Sequence, residues 1–109
     1  PFDESAQRGQ ALVEVRRAYN PSGFWRHIAA IAATGDLRSR LAKIVAPTLV
    51  LHGADDPLVS PEAGKDTAAN IKEAELRIVE GVGHDFPPSL FGFVAGVIAE
   101  NAHRADQIL

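Results

Sequence analysis

Apolar residues recur at intervals of three and four along the first third of the chain. The second half instead carries two short runs of β-formers set in polar, Gly- and Pro-rich sequence. Leu12, Val15 and Tyr19 fall at helical spacing and predict a helix over residues 5–19, with Glu4 or Ser5 near its start. Asn20-Pro21-Ser22-Gly23 reads as the turn that ends it, because Asn-Pro and Ser-Gly are turn-forming pairs. A second, almost wholly apolar helix is expected over residues 24–33, closed by Thr34-Gly35-Asp36, and a short amphipathic one over 37–42. Ala46-Pro47 breaks the third helix, since a residue preceding proline is driven out of the helical region.

Beyond Pro47 the period changes. Residues 48–52 predict a strand in which Val50 and Leu51 are apolar in succession, as in a parallel strand covered on both faces. Ser60-Pro61-Glu62 is a helix start, with serine as N-cap, proline in the first helical position and an acid in the first turn; this helix is expected to reach about residue 71. Residues 75–79 give a second strand. The last helix is expected over 90–104, with Ser89 as its cap and Phe93, Val97 and Ile98 facing inward. The chain holds no internal repeat and no low-complexity segment.

A strand, a helix and a second strand in that order require a crossover, which makes the two strands parallel and the fold class α/β. In a parallel sheet all C-terminal strand ends lie on one edge, where open α/β sheets bind their ligands. The loop carrying Asp55-Asp56 and the loop Gly81-Val82-Gly83-His84 therefore open on the same side. A carboxylate beside one imidazole nitrogen fixes the tautomer and stabilises the imidazolium, which leaves the other nitrogen as a general base. Each loop also has a plain structural reading. Paired aspartates before proline form turns in which one side chain caps its own backbone, and a histidine among glycines is often a surface residue. His27 falls on a helix, His103 lies near the C-terminus, and His52 ends a strand where it packs or bonds backbone. Trp25 and Ile28 are candidate substrate contacts, although apolar residues at helical spacing serve equally as core.

Composition narrows the classes. With 109 residues, 46% of them apolar and 23% charged, the chain is one globular domain or part of one. It has no cysteine, which excludes disulfides, thiolate metal sites and a cysteine nucleophile, and it has no H-E-x-x-H spacing, so no metal ion is expected. The net charge of −3 argues against a nucleic-acid surface. Residues 1–43 carry seven Lys/Arg against four Asp/Glu, and residues 44–109 carry four against ten, a contrast expected where a cap-like segment meets a sheet-like one. No stretch of 18 apolar residues and no basic-then-apolar leader is present, so neither a membrane span nor a signal peptide is expected and the default compartment is cytoplasmic.

The motif Pro47-Thr48-Leu49-Val50-Leu51-His52-Gly53-Ala54-Asp55-Asp56-Pro57-Leu58-Val59, followed by Gly81-Val82-Gly83-His84-Asp85-Phe86-Pro87, resembles the C-terminal third of the α/β-hydrolase fold, and in particular esterases such as the aclacinomycin methylesterases. The resemblance implies that Asp56, three residues after Gly53, is the acid of a catalytic triad and His84 its histidine. It implies further that residues 1–43 are the remnant of a helical cap and 44–109 the C-terminal strand-helix-strand-helix part of the core. The activity it implies is hydrolysis of a small-molecule ester, without a cofactor. Such enzymes also need a serine on a G-x-S-x-G elbow ahead of the acid and the histidine. None of Ser5, Ser22, Ser39, Ser60 or Ser89 lies in that context, so the serine is expected in an N-terminal part of the enzyme outside these residues. Two other readings stay open: a dehalogenase or epoxide hydrolase with an aspartate nucleophile in that part, and a non-catalytic interaction module that docks through the apolar helix 25–33.

Two parallel strands alone leave both sheet edges without partners. The 109-residue chain in isolation is therefore expected to self-associate or to melt without a cooperative transition. Sedimentation velocity and thermal denaturation check this, and a sharp monomer that melts cooperatively would overturn it.

Overall fold

The structure is a computed structural model that describes residues 3–108. Helix α1 spans Glu4–Arg17, and its N-cap is Asp3, whose Oδ1 accepts from the Ala6 N–H at 3.0 Å. The start expected at Glu4 or Ser5 thus moves back to an aspartate, which caps a free N–H better than glutamate can. The helix ends at Arg17, so Tyr19 stands outside it rather than continuing its apolar side.

Helix α2, Pro21–Thr34, corrects the reading of residues 20–23 as a turn. Asn20 is its N-cap, accepting from the Gly23 N–H at 3.0 Å, and Pro21 occupies the first turn, where a missing N–H costs nothing. The same residues that make turns also start helices, because both uses need a side chain that bonds a nearby N–H. Gly35 ends α2 at a φ of 66°, a left-handed conformation that glycine adopts without strain. Neither α1 nor α2 contains a buried residue.

The chain divides into two compact units, the first ending at Asp36 and the second beginning at Leu37. The second unit opens with α3, Arg38–Leu41, and continues through β1 (Leu49–Gly53), α4 (Pro61–Ala69) and β2 (Glu75–Val79) to a 3-10 turn, Pro88–Leu90, and α5, Phe91–Asp106. The two strands pair in parallel, with Leu49 opposite Glu75 and Gly53 opposite Val79. Helix α4 packs against both strands, and its start is the one expected: Ser60 accepts from the Glu62 N–H with Pro61 in the first turn. Helix α5 is tied to the opposite end of the sheet by polar groups. Asn101 Nδ2 donates to the Pro47 carbonyl at 3.2 Å, and Glu100 and Arg104 pair with Arg77 and Glu75 at 2.9 and 3.3 Å.

Three expectations for this unit fail. Ser89 lies inside the 3-10 turn and caps nothing, since α5 begins after Leu90 with no side-chain cap. Val97 is buried, but Phe93 and Ile98 are 41% and 58% exposed, because α5 meets the rest of the unit along a narrow strip. Strand β1 is only half-buried from Leu49 to His52, as two strands with one helix packed on them do not enclose both faces. The buried apolar residues among those described are Ile71, Val82 and Val97. No helix among the described residues is long and apolar enough to cross a membrane.

Adjacent residues of α5 should therefore differ sharply on truncation. Val97→Ala is expected to cost about 1–3 kcal/mol of stability and Ile98→Ala well under ~1 kcal/mol, as read by urea denaturation of the complete protein. Equal costs would place the packed face of α5 elsewhere.

Candidate active site

Strand β1 delivers the acid and β2 delivers the histidine, but the strands alone would leave the two loops unconnected. The ladder continues past both strand ends: the Ala54 N–H donates to Val79 O and the Asp55 N–H to Val82 O, each at 2.9 Å. This crossing requires glycine at position 53. A Cβ there would stand 2.2 Å from Gly83 O and 2.4 Å from Val82 O, distances that no real Cβ tolerates. Gly81, at a φ of 71°, supplies the left-handed turn that brings the loop back over β1. Gly83 does not have a positive φ, so of the two loop glycines only Gly81 is needed for its dihedral angle. Val82 between them is buried and anchors the loop.

Asp56 uses its two oxygens for two purposes. Oδ1 accepts from the backbone N–H groups of Leu58 and Val59 at 2.8 and 2.9 Å, and Oδ2 faces His84 Nδ1 at 2.9 Å. The capping use of an aspartate before proline and its pairing with histidine are thus not alternatives, because one carboxylate does both. The Asp56 side chain is 5% exposed, whereas that of His84 is 48% exposed. The Val59 N–H, with help from His84 and the Leu58 N–H, lowers the Asp56 pKa from 3.8 to about 2, although burial works in the opposite direction. Asp56 is accordingly ionised at neutral pH, and its hydrogen bond and charge raise the pKa of His84 above the ordinary 6.5, with a smaller contribution from Asp85. A carboxylate only accepts, so Nδ1 of His84 carries the proton that faces Asp56. In the neutral ring the lone pair is then on Nε2, which makes no hydrogen bond among the described residues.

The remaining candidates fall as follows. His52 is held within the second unit, with Nε2 2.9 Å from Val59 O and 3.5 Å from Asp56 Oδ2, so the backbone bond expected of it is present together with a second neighbour. Trp25 and Ile28 lie on α2 in the first unit. Trp25 is 69% exposed, meets Phe24 edge to face at 5.2 Å, and lines a surface hollow of about 340 Å³ with Tyr19, Asn20 and Pro21; Ile28 does not line it. His27 lies on α2, and His103, on α5, pairs with Asp106 at 3.8 Å. No group of three or more His, Asp or Glu side chains among the described residues is arranged to hold a metal ion. No serine among the described residues is hydrogen-bonded to His84.

Two parallel strands with an aspartate and a half-exposed histidine beyond their C-terminal ends are consistent with part of an α/β-hydrolase fold. The family described as serine aminopeptidase, S33, matches residues 21–87, and the chain belongs to that family. Among curated proteins, the chain is 32% identical over 82 residues to the pimeloyl-[acyl-carrier protein] methyl ester esterase of Nitrosospira multiformis, covering 70% of this chain and 31% of that protein. It is 43% identical over 49 residues to the 2-hydroxy-6-oxononadienedioate/2-hydroxy-6-oxononatrienedioate hydrolase of Cupriavidus pinatubonensis, covering 45% and 17%. The chain thus spans less than a third of the length of these curated relatives.

The pair fixes the direction of a pH response. The contribution of His84 to stability is complete below its ordinary pKa and is lost as pH rises through the raised one. That of Asp56 is present above its ordinary 3.8 and is lost as pH falls through about 2. In an NMR titration the His84 imidazole is expected to titrate above 6.5, and Asp56→Asn to lower that midpoint. An unchanged midpoint in the variant would dissolve the pair.

Proposed function

We propose that this chain supplies the acid and histidine of a Ser-His-Asp triad in a hydrolase that cleaves small-molecule esters. The observation that carries the reading is the 2.9 Å contact of His84 Nδ1 with Asp56, which leaves Nε2 of the half-exposed side chain without a partner among the described residues. On this reading the nucleophilic serine and the oxyanion donors come from a part of the enzyme outside these 109 residues, and the chain alone is inactive. Residues 1–43 are the remnant of its helical cap, with Trp25 and Ile28 as its candidate substrate contacts, and 44–109 are the C-terminal part of its core. The methyl ester esterase among the relatives supports an ester as the bond cleaved, in keeping with the likeness to aclacinomycin methylesterases.

The chemistry is acyl transfer in two halves. His84 Nε2 takes the serine proton as Oγ attacks the ester carbonyl carbon. The tetrahedral intermediate then expels the alcohol oxygen, which receives that proton from His84. Water repeats the cycle on the acyl-enzyme: His84 takes its proton, the hydroxyl oxygen bonds to the carbonyl carbon, and the serine leaves with the proton restored. Asp56 stays ionised throughout, orienting the ring and stabilising the imidazolium. Because the base must be neutral, the raised pKa of His84 places the acidic limb of activity above 6.5.

The test is turnover of a p-nitrophenyl ester by the complete protein, together with labelling by a fluorophosphonate. Labelling of a serine is expected, with kcat reduced roughly 10⁶-fold in His84→Ala and roughly 10⁴-fold in Asp56→Asn. Full turnover in His84→Ala, or turnover without serine labelling, would overturn the reading.

A further inference from the structure

His52 takes no part in the proton transfers above, yet it is the second imidazole against Asp56. Its ring is enclosed on three sides. Nε2 faces the Val59 carbonyl at 2.9 Å, Asp56 Oδ2 lies 3.5 Å from the same nitrogen, and the ring stands over Gly64 of α4, where a Cβ would come within 2.8 Å of Nδ1. A carbonyl oxygen only accepts, so the His52 Nε2 carries a proton and donates it. The same Val59 that accepts from His52 donates its own N–H to Asp56 Oδ1 at 2.9 Å. The peptide groups of a single residue therefore connect the two side chains, and the order of hydrogen bonds runs His52, Val59, Asp56, His84.

We infer that His52 is a positioning residue of the triad: by holding the Val59 carbonyl it fixes the turn that aims Asp56 at His84. This rests on the triad reading proposed above and assigns a role in it to a residue that touches neither substrate nor nucleophile. The geometry explains two features that strand packing alone does not. A donor is needed at position 52, where an apolar residue would serve a strand as well. Glycine at position 64 suits the close pass of α4 over the ring, where a Cβ would come within 2.8 Å of Nδ1. Without the His52 bond the hydrogen bonds of Leu58 and Val59 among the described residues are those to Asp56 itself, so the carboxylate would orient the turn instead of the turn orienting the carboxylate.

The experiment is a kinetic comparison on the complete protein with a p-nitrophenyl ester, using His52→Phe, which keeps a ring and loses the donor, and His52→Gln, which retains an N–H at similar reach. His52→Phe is expected to lower kcat on the order of 10- to 100-fold with KM unchanged, the cost of a misplaced catalytic group. It should also shift the acidic limb of kcat/KM to lower pH as Asp56 loosens its hold on His84. His52→Gln should recover most of both. Gly64→Ala provides an independent route, because its methyl group displaces the ring while alanine favours the helix, and it should shift kcat and the limb in the same direction as His52→Phe. Wild-type kcat and acidic limb in His52→Phe, or a His52→Gln no better than His52→Phe, would overturn the inference. Should His52→Phe fail to fold, Gly64→Ala decides in its place, and wild-type kinetics there would overturn it. Full activity in His84→Ala would instead overturn the triad reading, and the positioning role of His52 with it.

Discussion

The candidate site depends on the absence of a side chain. At Gly53 the backbone of the histidine loop occupies the space a Cβ would fill, with two carbonyl oxygens inside 2.5 Å of that point. This close crossing is what allows the Ala54 and Asp55 N–H groups to extend the ladder onto Val79 and Val82 after the strands have ended. Two loops 28 residues apart in sequence are thereby joined along their backbones before any side chain interacts. The Asp56–His84 contact is then the consequence of backbone geometry and need not hold the loops together by itself. That matters because His84 is half-exposed, and a pair so placed is weakened by solvent and salt.

The division of labour within Asp56 follows from the same crowding. Two N–H groups from the 57–59 turn occupy one oxygen and leave the other for histidine, so the carboxylate cannot rotate without losing bonds at both ends. Its ionisation is favoured chiefly by backbone dipoles, which persist whether or not His84 is charged. His84, by contrast, gains mainly from Asp56. The pair is strongest as an ion pair below the raised histidine pKa. On the proposed reading a general base is available only above it, so stability and catalysis would pull in opposite directions across the same titration.

Much of this was legible in the sequence, for definite physical reasons. Strand β2 has the expected bounds, and α4 has the expected cap, because Ser60-Pro61-Glu62 satisfies backbone groups locally and needs no tertiary contact to be recognised. The parallel pairing followed from connectivity, and with it the shared edge for Asp56 and His84. Packing faces were less legible. Phe93 and Ile98 have the spacing of a buried stripe, yet only Val97 is covered, since a period gives the relative orientation of residues and not the width of the surface they meet. Asn20 was misread because its side chain can close a turn or start a helix with the same hydrogen bond, and Pro21 suits both. For His52 the sequence predicted packing or a backbone bond; that it is the bond, and that the acceptor is a residue seven positions on that also binds Asp56, arises only from the folded turn.

The small core links the two properties. Val82, one of three buried apolar residues among those described, sits in the loop that carries His84, while Ile71 lies just past the end of α4 in the connection to β2. One of the residues that stabilise the unit, Val82, therefore also anchors the loop that carries the histidine. In a larger core, a loop of this kind could shift while the rest of the domain held its place. Here Val82 cannot leave its contacts without exposing a substantial share of the apolar surface the unit has buried, and Gly83 cannot move away from Gly53 without breaking the ladder beyond the strands. Loop opening and loss of the core become nearly the same event. Any additional structure packed against the half-buried face of β1 would then act on the site as well, because deepening this core would hold the histidine loop more firmly over Asp56.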